Sequence, residues 1–297
     1  MTQYTSYPMS IKSQNCFRHI IKIILAVLIV FTSTTYSTAA EALQDKPREE
    51  KPYLYEIRPA KIWDDIFHVV TFPTRMNIPD GMVLCGVLGT TGILFWQDEN
   101  IRGWIRDVPG NDGTDAAAKA GKWLGDGRLI VPLFLVSGAG GYLGNNQRLV
   151  RISVETLETL ALSGLSVQIL KISTGRSRPF RDSGSWDFTG PNFSNEAFHS
   201  FPSGHAVTIG SVAGVLAGEF ESPWIDLAAF SLVGLTAFQR MYADKHWASD
   251  VFLGSAIGAA TGYSIARHRK EKTKPRVLVT PVTLQPTQPG IQITFIF

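Results

Sequence analysis

Six apolar segments, at 81–97, 128–144, 152–173, 206–220, 224–240 and 250–266, constrain this chain more than any other feature. Most are 15–17 residues long and rich in Gly, Ala, Ser and Thr. That length falls between a core helix and a membrane-spanning one. Small residues favour close helix approach in either setting. Glu155 and Glu158, near the start of the third segment, would be costly at mid-bilayer. The pattern predicts an all-α bundle of five to six apolar helices, embedded in a membrane.

Three polar blocks interrupt the apolar pattern between residues 171 and 250. They are KISTGRSRP from Lys171 to Pro179, FPSGH ending in Ser203, Gly204 and His205, and RMYADKHWASD with Arg240, His246 and Asp250. Three cations, a hydroxyl, a glycine turn, two imidazoles and a carboxylate suit a phosphoryl group, whose charge spreads over several oxygens. Arg178 and Arg240 can fork onto phosphate oxygens, and Lys171 can act as a point charge. Ser203-Gly204-His205 precedes an apolar run, which reads as a helix start with free amides facing an anion. Asp250 follows His246 by four residues and shares its helical face, where it can fix the imidazole tautomer and stabilise the charged form.

The spacing Lys-x6-Arg-Pro, Pro-Ser-Gly-His and Arg-x5-His-x3-Asp resembles the type 2 phosphatidic acid phosphatase (PAP2) superfamily, which also holds class A bacterial acid phosphatases and vanadium haloperoxidases. The resemblance implies that His246, oriented by Asp250, attacks phosphorus and becomes a phosphohistidine. It implies that His205 protonates the leaving oxygen and then activates water. Lys171, Arg178, Arg240, Ser203 and the Gly204 amide would hold the phosphoryl oxygens, with no metal or other cofactor. One departure is Gln239, where the superfamily usually has Ser.

Residues 1–40 contain no Asp or Glu, carry Lys12, Arg18 and Lys22 before an apolar run, and end in small residues. This is the pattern of an export signal cleaved after Ala40. Its removal takes three positive charges from the formal +3 and leaves a neutral chain, which weighs against nucleic acid as a partner. Cys85 then remains alone, so no intrachain disulfide is available. Residues 41–58 read as a mobile polar leader. In 60–70, Ile62, Trp63, Ile66, Phe67 and Val70 share one helical side, for packing on the bundle or for a membrane interface. The domain expected at 81–270 is PAP2-like. Residues 271–297 alternate at Val277, Val279, Ile291, Ile293, Phe295 and Phe297 around a Pro/Gly turn, which predicts a short C-terminal β-hairpin.

Basic residues Arg148 and Arg151 and the run at 267–274 flank what would be cytoplasmic ends. The catalytic blocks then face the periplasm, which with a cleaved signal requires segment 81–97 not to span. The expected activity is hydrolysis of lipid phosphate or diphosphate esters at a bacterial cytoplasmic membrane. The alternatives are a soluble periplasmic acid phosphatase acting on small phosphomonoesters, a vanadate-dependent haloperoxidase, and a non-catalytic phosphate-binding membrane module. The loop 174–201 is expected to cover the site, with Trp186 and Phe188 packing there.

Overall fold

In the computed structural model, which describes residues 59–273, 276–285 and 288–296, the chain from Pro59 to Thr273 is largely helical. The expected signal and leader lie outside the described residues. Helix α1 (Pro59–Val70) and the single turn α2 (Phe72–Arg75) lead into α3 (Ile78–Arg106), α4 (Asp112–Leu124), α5 (Gly127–Leu143) and α6 (Gln147–Thr174). A long loop then reaches α7 (Gly204–Phe220), followed by α8 (Pro223–Tyr242) and α9 (Ala248–Thr273). Strands β1 (Arg276–Gln285) and β2 (Gln288–Ile296) pair antiparallel, Val277 opposite Phe295 and Val279 opposite Ile293, with an irregularity between Thr283 and Gln285.

Side-chain caps set several helix starts. Asn77 and Asp80 form a reciprocal capping box at α3, as Asn111 and Thr114 do at α4. Asp126, Asn146 and Ser203 cap α5, α6 and α7. α6 stops at Gly175, whose φ of 57° is left-handed; a Cβ there would lie 2.0 Å from the Gly190 carbonyl oxygen.

Two segments run further than apolar pattern alone predicts. α3 continues through the polar stretch to Arg106 because Asp98 is buried against Arg176, while Arg102 and Arg106 pair with Asp182 and Asp244. α9 continues to Thr273 because Arg269 meets Asp65 and Glu158, and His268 and Lys272 meet Asp64. α4 was not expected as a separate helix, since its apolar content is low; it packs against α8, where a Cβ on Gly121 would press on the Leu235 carbonyl at 2.5 Å.

α7 and α9 form the centre of the bundle, almost backbone to backbone. A Cβ on Gly214 would stand 2.1 Å from the Ala259 carbonyl, and one on Gly258 would stand 2.3 Å from that of Val207. Ile209, Ala213, Ala229 and Val233 fill the adjoining α7–α8 contact. The three polar blocks all emerge at one end: the last turn of α6, the first of α7, the last of α8 and the first of α9. α1 docks at the other end by its polar edge, through Asp64 and Asp65, and leaves Trp63, Phe67 and Val70 exposed. The Trp63, Phe67 and Val70 edge of its apolar stripe therefore faces outward, with Ile62 and Ile66 half-buried.

α3 starts at that same far end and brings Asp98 to the catalytic end about 30 Å along its axis. Among the described residues it is the one helix long and apolar enough to cross a membrane, and almost none of its apolar window is buried. The expectation that 81–97 does not span therefore meets a helix with the dimensions of a span. Met82, Leu88, Ile93 and Trp96 on α3, with Leu133, Val136 and Leu143 on α5, leave wide apolar faces uncovered. Soluble monomers rarely expose such continuous apolar surface.

Candidate active site

The αL turn at Gly175 sends the chain away from α6 and into the loop that returns at Ser203. This loop is tied down at many points. The Ser177 hydroxyl donates to Asp187 at 2.6 Å, the Trp247 indole donates to the Ser177 carbonyl at 2.9 Å, and the Arg178 amide donates to Ala197 at 2.9 Å. Trp186 and Phe188 pack on Phe95 of α3, with ring centroids 5.5 and 6.1 Å away.

His246 follows a tight turn in which Asp244 has a φ of 56° and both Lys245 and His246 amides return to the Arg240 carbonyl. The imidazole is buried, and its Nδ1 lies 2.8 Å from the Ser200 carbonyl oxygen. A carbonyl can only accept, so Nδ1 carries the proton and Nε2 keeps its lone pair. Asp250 was expected to set this tautomer; its Oδ2 instead stands 3.7 Å from Nδ1, at ion-pair range. The direct partner is a backbone carbonyl because the carboxylate is already occupied by other donors. Burial, reinforced by the charges of Lys171 and Arg178 and opposed by Asp250, pulls the His246 pKa down to about 3. Burial and the two cations thus favour the neutral ring, with its lone pair on Nε2.

Asp250 is fully buried and accepts from the Ser200 hydroxyl at 2.5 Å, the Trp247 amide at 2.8 Å and Arg176 at 2.5 Å. The Trp247 contact is half of a capping box at the start of α9. Ser200 thus bridges both groups: its hydroxyl serves Asp250 and its carbonyl serves His246.

The cations lie around these groups. Lys171 is buried and donates to the His199 carbonyl at 2.8 Å, and its Cε stands 3.9 Å from where a Gly204 side chain would begin. Arg240 donates to Gln239 Oε1 at 3.2 Å, so the residue that departs from the superfamily pattern orients the guanidinium. The Nε atoms of Arg178 and Arg240 are both buried without a hydrogen-bond partner. A buried guanidinium donor left unpaired is costly, and native structures supply a partner. The charges of Lys171 and Arg178 act on His246, and those of Arg240 and Lys171 act on His205. Ser203 accepts from the Ala206 amide at 3.5 Å, which leaves its hydroxyl proton free to donate. His205 sits in the first turn of α7, backed by the α4–α5 junction, where a Cβ on Gly125 would lie 2.7 Å from its own Cβ.

The eight residues singled out in the sequence thus lie at one end of the bundle. Sequence reasoning missed Arg176, Ser200 and Asp98. Arg176 stands inside the first polar block between Lys171 and Arg178, and Asp98 is an acid closing an apolar run, which is the one signal that marked it. His199 accepts from Lys171 through its backbone carbonyl, while its ring bonds the Asn192 carbonyl.

Residues 153–274 match the family model described as PAP2 superfamily. The chain is 33% identical over 124 residues to a lipid A 1-phosphatase of Porphyromonas gingivalis, a match covering 41% of this chain and 25% of that protein. It is 38% identical over 103 residues to a lipid A 1-phosphatase of Rhizobium etli, covering 34% of this chain and 43% of that one. The chain therefore spans less than half the length of these relatives. Among solved structures, a transmembrane PAP2 type phosphatidylglycerolphosphate phosphatase from Bacillus subtilis is similar at a TM-score of 0.50 and 20% identity, over 64% of this chain and 96% of that one. That likeness concerns the fold. Residues 153–274, which hold all three motif blocks, thus match the PAP2 superfamily.

Proposed function

We propose that this chain hydrolyses phosphate esters of membrane lipids through a phosphohistidine intermediate. The observation that carries the reading is the pair of buried, unpartnered guanidinium donors on Arg178 and Arg240, grouped with Lys171 around two imidazoles. A tetrahedral phosphoryl group supplies the acceptors they lack. The His246 Nε2 lone pair attacks phosphorus, the P–O ester bond breaks, and His205 gives its proton to the leaving oxygen. Water then attacks the phosphohistidine, His205 takes the water's proton, the P–N bond breaks, and inorganic phosphate leaves. The cations and the Gly204 amide hold the equatorial oxygens throughout. Asp250, at 3.7 Å, stabilises the positive charge that His246 acquires.

A lipid substrate is favoured by the uncovered apolar faces of α3 and α5 and by the outward apolar edge of α1. The similar proteins named lipid A 1-phosphatase point the same way. Arg148, Arg151 and the basic end of α9 lie opposite the catalytic end, so the positive-inside tendency orients the site away from the cytoplasm. With α3 crossing, a cleaved signal would put the basic end outside; the charges favour the reverse, and we follow them.

Purified protein in detergent, given an aryl phosphate or a phosphorylated lipid, is expected to release inorganic phosphate at the same rate with and without EDTA. Loss of turnover in EDTA would defeat the metal-independent mechanism. Full activity and solubility without detergent would favour a small-ester acid phosphatase over a lipid enzyme.

A further inference from the structure

We propose that Asp98, on α3 and outside the family-matched segment 153–274, is a positioning residue for the hydrolysis assigned above, acting on His246 through Arg176 and Asp250. The inference rests on that assignment. Arg176 has 0% exposure and uses all five of its N–H donors. Nε and Nη2 donate to the Ser185 carbonyl at 2.9 and 2.7 Å; Nη1 donates to Ser249 Oγ at 2.8 Å and Asp250 Oδ1 at 2.5 Å; Nη2 donates to Asp98 Oδ2 at 2.7 Å. This saturation separates Arg176 from Arg178 and Arg240, whose Nε atoms have no partner. Arg176 is thus already committed to the protein, while the other two retain donors for a ligand. Asp98 also accepts from the Ser249 amide at 3.0 Å and hydroxyl at 2.5 Å, so it holds the first turn of α9 in place.

The electrostatic consequence concerns net charge. Asp98, Arg176 and Asp250 together carry one negative charge, all in a buried site. When His246 bonds to phosphorus its ring becomes cationic, 3.7 Å from Asp250. Arg176 alone would cancel most of the help Asp250 gives. Asp98 cancels Arg176 in turn, so the developing cation meets a net negative group. Without Asp98 the Arg176–Asp250 pair is neutral, and at low dielectric that difference is large. Asp98 touches none of the phosphate-binding cations, so its role is confined to the nucleophile's side.

The test is Asp98→Asn in the full chain, assayed with an aryl phosphate and with inorganic phosphate as inhibitor. We expect kcat to fall about tenfold or more, within the range of coupled buried charges, with phosphate inhibition changed less than about twofold. In an Arg176→Met background the same change is expected to cost less than about threefold, because the relay is already broken. Asp98→Glu keeps the charge and is the variant to read if Asp98→Asn does not fold; it retains kcat within about threefold. Unchanged kcat in Asp98→Asn, equal losses in both backgrounds, parallel loss of phosphate affinity, or a tenfold loss in Asp98→Glu would each overturn the proposal. Turnover surviving in His246→Ala would instead defeat the phosphohistidine mechanism on which this role rests, so the two failures are distinct.

Discussion

His246→Ala is expected to lower kcat by on the order of 10⁴-fold or more, the scale seen when a covalent nucleophile is removed. The reason is positional as well as chemical. The ring is buried, and its Nδ1 proton is committed to the Ser200 carbonyl at 2.8 Å. The Nε2 lone pair is therefore the one the ring has available, in the field of Lys171 and Arg178. Burial and the charges of Lys171 and Arg178 hold the pKa well below the usual imidazole range, which favours the unprotonated lone pair. No nearby group can substitute, since Asp250 is held by three donors and Ser203 caps α7. Affinity for inorganic phosphate is expected to survive, because the cations that bind it are untouched. Retained turnover in this variant would remove the mechanism, and lost turnover together with lost phosphate binding would point to a collapsed site.

His205→Ala is expected to show a different signature. A general acid contributes about 10²–10⁴-fold, and most where the leaving oxygen is a poor one. Nitrophenyl phosphate, whose leaving group needs no proton, should lose far less in the first step than an alkyl or lipid phosphate. The second step still needs a base for water, so the phosphoenzyme should accumulate in this variant. His205 opens α7 next to the Gly204 amide, at the end of the bundle where Arg240 and Lys171 also lie. Asp126, at the start of α5, supplies an opposite charge to the same ring. Comparing kcat/KM, which reports only the steps up to phosphoenzyme formation, for the two substrate classes decides the matter. Equal losses for good and poor leaving groups would exclude His205 as the acid.

The sequence made the helical bundle and the composition of the site legible because both are written locally. Apolar runs mark helices, and Pro-Ser-Gly-His before such a run marks a capped start with free amides. The ends of helices were less legible. α3 extends past Gln97 and α9 past Ala266 because their charged residues find partners far away in the chain, such as Arg176 for Asp98 and Asp65 for Arg269. No window of sequence contains both members of such a pair. The same limit hid the support of the nucleophile. A carboxylate four residues from a histidine suggests a direct bond, yet the tautomer is held by a carbonyl 46 residues away. Likewise α1 reads as amphipathic, but only the fold reveals that it docks by Asp64 and Asp65 and turns Trp63 and Phe67 outward.

The central claim is that His246 becomes covalently phosphorylated, and it can be read directly. Enzyme carrying His205→Ala is mixed with a ³²P-labelled aryl phosphate, quenched in denaturant, and the retained label is tested for stability in acid and in alkali. The account predicts a label that is lost in acid, survives alkali, maps to the peptide containing His246 and disappears in the His205→Ala/His246→Ala double variant. A label stable to acid, or one that persists without His246, would contradict it.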